Sequence, residues 1–517
     1  MTDPGERCAI VESNERSLYI GGSVNENVNA PGERARVRVY DAVRALAFVG
    51  DLSMGQPTDH SLRTAWLAAQ LAHETGEGDA LAATATQAAL LRWSGCTANA
   101  SGFADVLGDD VAGREAMLAQ RLDWAKLLEP RVVEGAIRPL AQIHCEVSGE
   151  VARILDLTTD TEVALRHIFE VWDGTGMPDG LAGAAVPRAV YVVSLAGDLE
   201  IFSRVYGLPR ALALIAAQAG TRYPAELAAL LARQAAHWLE VLATREPARL
   251  DESIQTPQMQ ATTSTELIGD VIDLKLPWMT GFSRAVARAA SACSLRLGAG
   301  EASATRLYAA GLIHGIGRAA VPNAIWNSHR RLSAAEWEKV RLVPYWTARA
   351  GKQTGSLAQA AELASYAYER LDGSGYFRGV GGQALSFEAR VLSAAVAFVA
   401  LGEKRPWRDA LSSDEVAQRL RTEANEGRFD GEVVDALIDA RDAPPCGSRR
   451  RQATIRLSAR EIDVLRSIGR GASNKEAARE LDLSPSTVRT HVESVFRKLE
   501  CSTRAAATLK ASALGLL

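Results

Sequence analysis

The chain has 517 residues, 47% of them hydrophobic and 23% charged, with a formal net charge of −4. That length predicts three or four domains, and the composition excludes a disordered or fibrous chain. Six scattered cysteines (Cys8, Cys96, Cys145, Cys293, Cys446 and Cys501) form no CxxC pair, which argues against a disulfide framework or a zinc finger.

The first 36 residues, with Pro4, Pro31 and the pair Gly21-Gly22, read as a weakly ordered segment without a signal peptide. From Val37 to about Ala440 the sequence is rich in Ala and Leu at helical spacing, so the expected fold class is all-α. Tyr191 to Leu199 fits a buried helix as well as a strand. No uninterrupted apolar run reaches membrane-spanning length, so the expected location is cytoplasmic.

Two breaker stretches divide the chain. Residues 250–265 are polar, contain Pro257 and read as a linker, and residues 441–453 form a second one rich in Pro and Arg. The blocks on either side of the first break share a pattern. EVWDGTGMPDGLAG, from Glu170, parallels ERLDGSGYFRGVGG, from Glu369. QAALLRWSGCTANA, from Gln87, parallels YAAGLIHGIGRAAVP, from Tyr308. The economical account is a duplicated domain, copy one at 37–249 and copy two at 266–440.

Residues 454–517 carry three helix starts. Ser458 with Glu461, and Ser473 with Glu476, are capping boxes; Ser484 before Pro485 is an N-cap with proline at the first helical position. Gly471 can take the left-handed conformation that ends the first helix. Val488, Val492, Val495 and Leu499 form an apolar stripe, opposite a polar face that includes Arg489. From Arg449 onward there are 14 Lys/Arg against 7 Asp/Glu, while the rest of the chain has 44 against 55. A basic tail on an acidic body points to a polyanion partner.

The tail string LSAREIDVL, GASNKEAARELDLSPSTVRTHV and RKL resembles the LuxR-type helix-turn-helix domain over its whole length. The resemblance implies a four-helix unit that binds double-stranded DNA. It places Ser484, Ser486, Thr487, Arg489 and Thr490 at the DNA, with Asn474, Lys475 and Lys498 holding the phosphate backbone. It also implies a homodimer on paired half-sites.

Copy two resembles the HD-GYP branch of the HD phosphohydrolases, through GLIHGIGRAAVPNAIW and YERLDGSGYFRGV. Active members hold two or three iron or manganese ions with His and Asp side chains and cleave phosphodiesters, most often cyclic di-GMP. This chain departs from that ligand set. In copy two the first His position holds Phe282, the His-Asp pair is His314-Gly315, the Lys position is Arg318, and the His-His pair is Ala367-Tyr368. Copy one keeps His60, His144, His167 and Asp198, but its His-Asp pair is Arg92-Trp93. These four either converge on one metal ion or remain as hydrogen-bonded core groups. His60, Arg92 and Arg166 together could meet a phosphate-bearing or acidic effector.

The expected function is therefore a DNA-binding transcriptional regulator, without catalytic residues or cofactor. Its degenerate body would serve dimerisation, sensing of a small-molecule or nucleotide effector, or both. The alternative is a metal-dependent cyclic-dinucleotide phosphodiesterase with an attached DNA-binding domain.

Overall fold

The computed structural model describes residues 35–121, 133–441 and 455–517. The segment expected to be weakly ordered lies outside this range up to residue 34, and so does the second linker beyond Arg441. The fold is all-α, with one two-stranded sheet among the described residues.

Copy one opens with β1 (Arg36–Arg38) and α1 (Val39–Ser53), followed by α2 (His60–Glu74), α3 (Asp79–Leu91), α4 (Ala100–Leu107) and α5 (Asp110–Leu118). It continues with α6 (Arg138–Ile154), α7 (Thr159–Arg166), α8 (Arg188–Tyr206), α9 (Leu208–Ala217) and α10 (Ala225–Thr244). The ambiguous stretch Tyr191 to Leu199 lies inside α8, buried along its length except at Ser194. A run too long for one strand and buried on nearly all sides is a core helix.

Residues 250–265 do not behave as a linker. They run from α11 (Pro247–Ser253) through a helical turn to β2 (Thr262–Ser264), with Leu250, Ile254 and Met259 buried in the core. β2 pairs antiparallel with β1, Val37 opposite Thr263. This also corrects the expectation for Arg36, which sits in a strand. The polar spacing hid three buried apolar anchors.

Copy two repeats the series with α12 (Glu266–Asp273), α13 (Phe282–Arg296), α14 (Gly300–Ile313), α15 (Ala334–Arg341) and α16 (Val343–Gly351). Then come α17 (Ala358–Ala364), α18 (Phe387–Leu401), α19 (Ser413–Asn425) and α20 (Gly431–Arg441). Local geometry repeats with it. Asp51 accepts from the amide and hydroxyl of Ser61, and Asp273 does the same for Ser283. Asp173 caps Thr175 as Asp372 caps Ser374, and the intervening Gly174 and Gly373 take φ of 81° and 78°. Only glycine adopts that conformation without strain.

The two copies share one hydrophobic core. α1 lies between them with all fifteen residues buried, so each Val, Leu or Phe side chain on it contributes about 1.5–3 kcal/mol. A buried ion pair also crosses the junction. Lys275 Nζ lies 3.0 Å from Asp110 Oδ2, and Asp110 Oδ1 accepts from the Asn323 amide at 2.7 Å. Burial holds the Lys275 ammonium below its ordinary pKa, opposed by Asp110. Neither charge reaches water, so removing one strands the other.

The tail folds as α21 (Ala459–Gly469), α22 (Asn474–Glu480), α23 (Pro485–Leu499) and α24 (Arg504–Ala513) around its own small core. Ala506 and Leu509 of α24 are buried in the core of the body instead.

Lys275→Met should cost about 3–5 kcal/mol in denaturant unfolding, because the Asn323 amide and Arg114 at 4.0 Å then remain to Asp110 without its close cation. The double change Asp110→Asn with Lys275→Met should recover more than half of that loss.

Candidate functional site

The tail presents its expected face. All three predicted caps form: Ser458 and Ser473 in reciprocal capping boxes, and Ser484 accepting from the Thr487 amide. Each such cap contributes about 1 kcal/mol. Val488, Val492, Val495 and Leu499 point into the domain core, while Ser484, Ser486, Thr487, Arg489 and Thr490 are exposed. The Arg489 guanidinium sits 2.9 Å from Glu493 one turn on, an exposed pair that a phosphate or base can displace at small cost. Lys475 is exposed, and Asn474 accepts from Arg504 at 3.0 Å. Arg497, also exposed on α23, adds a further cation to the basic face that the spacing predicts.

Lys498 is placed differently. Its ammonium donates to both oxygens of Glu461, at 2.8 and 2.7 Å, and Glu461 also accepts from Ser494 and from the Ser458 amide. Burial would raise the Glu461 carboxyl, but these donors outweigh it and hold it near 2. Lys498 thus ties α23 to α21 through a partly exposed ion pair.

In the body, copy one centres on His60, which is fully buried on α2. Arg92 lies 2.6 Å from His60 Nε2, and Glu200 lies 2.5 Å from Nδ1. A guanidinium can only donate, so Nε2 accepts and Nδ1 carries the proton. The imidazole is therefore neutral, and burial holds its pKa below the ordinary value. Arg92 is itself buried, pulled down to about 10 by burial and supported by Asp198, Asp51 and Glu200. Its guanidinium packs on the backbone at Gly197; a Cβ there would lie 1.9 Å from it, so only glycine leaves the room.

Copy two reaches the same arrangement from another position. His314 donates through Nδ1 to the Gly311 carbonyl at 2.6 Å and accepts from Arg318 at 2.6 Å. Arg318 and Arg405 both lie over the Phe282 ring, 5.1 and 4.9 Å from its centroid.

The four candidate ligands of copy one do not meet. His60 Nε2 is taken by Arg92. His144 donates through Nε2 to the Arg92 carbonyl at 2.7 Å and turns Nδ1 to the Cys96 sulfur at 3.5 Å. His167 bonds the Val163 carbonyl at 2.8 Å and lies 3.3 Å from Asp179. Asp198 pairs with Arg222 at 3.0 Å and accepts from Tyr223 at 3.0 Å. Among the described residues no group of three or more His, Cys, Asp or Glu side chains could hold a metal ion. These four donors do not fit one metal centre, because they are bonded to separate neighbours and the acceptor nitrogen of His60 is occupied by a guanidinium.

The grouping of His60, Arg92 and Arg166 is corrected as well. Arg166 pairs with Glu162 at 2.9 Å and Glu150 at 3.7 Å on α6 and α7, apart from the other two. Arg92 lines only a small space of about 40 Å³, while next to it, beyond Trp93, lies a cavity of about 300 Å³ lined by Trp93, Phe103, Phe169, Met54 and Arg114 among others. Spacing could not reveal it, since its walls come from distant segments.

Arg92→Ala leaves His60, Asp51 and Asp198 without their shared cation. It should lower stability by about 3 kcal/mol or more in denaturant melts. A second test uses pH. Burial depresses His144 to about 3, so its contribution is fully present above about 6.5 and is lost as pH falls. Relative to His144→Phe, the native chain should lose about 1.4 kcal/mol per pH unit between pH 6 and 4.

Comparison with known proteins places this geometry. Residues 266–433 match the HD domain, and residues 456–511 match the bacterial regulatory proteins of the luxR family. The chain is 24% identical over 429 residues to the 3'3'-cGAMP-specific phosphodiesterase 3 of Vibrio cholerae, covering 76% of this chain and 93% of that protein. The tail is 43% identical over 68 residues to the HTH-type transcriptional activator RamA of Corynebacterium glutamicum, covering 13% of this chain and 24% of that protein. A crystal structure of the Vibrio cholerae cyclic GMP-AMP phosphodiesterase V-cGAP3 superposes with a TM-score of 0.57 at 22% identity, covering 79% of this chain and 99% of that one. At that identity the likeness concerns the fold, and its span exceeds what either copy alone supplies. The chain thus joins an HD domain, related to those of cGAMP phosphodiesterases, to a C-terminal LuxR-type helix-turn-helix domain.

Proposed function

We propose that the protein is a sequence-specific DNA-binding transcriptional regulator whose HD-like body no longer performs metal-dependent hydrolysis. The observation that carries this reading is the arginine at the centre of each copy. Arg92 and Arg318 each donate to the one free nitrogen of a buried neutral histidine, at 2.6 Å in both cases. A site that binds a guanidinium there cannot bind a divalent cation at the same nitrogen. The tail, by contrast, keeps a complete exposed surface on α23 for the major groove. The body then serves to hold, sense and pair, with a homodimer set on two half-sites. No helix among the described residues is long and apolar enough to cross a membrane, and the proposed place of action is the cytoplasm.

A second reading is kept because one observation favours it: the similarity to cGAMP phosphodiesterase 3 runs along 76% of the chain. In that reading the protein hydrolyses a cyclic dinucleotide and the tail locates it on DNA.

Metal analysis of the purified full chain, together with a 3'3'-cGAMP hydrolysis assay, separates the two. The regulator reading expects substoichiometric iron and manganese and no turnover; stoichiometric metal with turnover would reverse it. On the DNA side, genomic footprinting supplies the operator. Arg489→Ala should then weaken operator binding by about 1–3 kcal/mol while leaving binding to unrelated DNA nearly unchanged. An equal loss on all sequences would make Arg489 a phosphate contact.

A further inference from the structure

Helix α6 has two working faces. One lines the cavity of copy one, through Ala141 and His144. The other, at Gln142 and Glu146 one turn apart, meets the DNA-binding tail. Glu146 accepts from the amide and the hydroxyl of Ser502, and Gln142 donates to the same hydroxyl at 3.0 Å. α24 packs along α6 beyond this point, with Ala506 and Leu509 buried in the core of the body.

α6 is also tied to the aromatic wall of the cavity. The turn Ser94–Cys96 lies so close that a Cβ on Gly95 would stand 2.3 Å from the His144 carbonyl, and the Gly95 amide donates to Ser148. Trp93, Cys96 and α6 therefore shift as one piece. Packed helices answer a local change by rigid-body shifts rather than by gradual deformation.

The lining indicates what the cavity takes. Trp93, Phe103 and Phe169 supply ring faces, and Met54, Met117 and Met177 supply thioethers, which suit flat aromatic rings. Of its charged groups, Glu170 accepts from the amides of Asp179 and Gly180 through one oxygen. Arg222 pairs with Asp198, while Arg114 is bonded to Asn99 and the Cys96 carbonyl and lies near Asp110. Among the described residues, no cation on the lining is left over for the two phosphates of a cyclic dinucleotide.

We propose that this cavity binds an uncharged, flat aromatic effector, and that occupancy moves α6 and loosens its contact with the DNA-binding tail. This rests on the regulator reading above and names the effector class and the route by which it acts.

The test uses the full-length chain with indole, quinoline and coumarin as probes and 3'3'-cGAMP as the contrasting ligand. At least one aromatic probe should raise the melting temperature saturably by about 3 °C. The same probe should quicken amide exchange across Ser502 and α24. Ala141→Leu and, separately, Met117→Trp fill the cavity and should abolish both effects. Glu146→Lys should keep the thermal shift but already show fast exchange at α24 without the probe. Absence of saturable binding by all three probes overturns the proposal. So does binding that leaves α24 exchange unchanged, or a thermal shift with cGAMP alone. Turnover of cGAMP would instead sink the regulator reading, so the two failures are distinguishable.

Discussion

The body is built around a guanidinium hydrogen-bonded to a neutral imidazole. Arg92 can only donate, so His60 must accept at Nε2 and keep its proton at Nδ1 for Glu200. The arginine then needs compensation, which Asp51, Asp198 and Glu200 provide from α1 and α8. Asp51 in turn holds the start of α2 through Ser61. A single buried cation thus sets the protonation of His60, the spacing of three helices and the need for glycine at 197. Such a network is costly to leave half satisfied, which makes it specific to one arrangement.

Copy two has the same solution with different residues. By the register of the Asp–Ser caps, Arg92 occupies the place that His314 holds in copy two, and Cys96 the place of Arg318. The pair is kept, but from different positions: the imidazole comes from His60 in copy one and from His314, at the Arg92 position, in copy two, and the guanidinium from Arg92 and from Arg318, at the Cys96 position. That equivalence favours a requirement for internal charge balance rather than drift alone.

The tail depends on the body in a way its own helices do not reveal. Its core closes over α21 to α24, but α24 spends one face on that core and another on the body. Lys498, which the LuxR-type resemblance offers to the phosphate backbone, pairs with Glu461 and so helps hold α23 in place. The exposed face of α23 remains free, so docking to the body leaves the groove-facing residues in solvent.

Much of this was legible in the residues alone. Capping boxes, the proline after Ser484 and the three-and-four spacing of valines determine the tail, because these interactions are local and nearly independent of context. The matching DGTG and DGSG turns were likewise legible, because backbone geometry at Gly174 and Gly373 demands glycine. What the residues could not reveal is where distant side chains meet. His60, His144, His167 and Asp198 share a family pattern, yet each is satisfied by a different neighbour. The apparent linker at 250–265 carries three buried anchors amid polar residues. Only the tertiary packing decided that Arg92 takes the imidazole of His60 and that α6 touches both the cavity and the tail. Long-range pairing depends on which surfaces are brought together, and no local spacing encodes that.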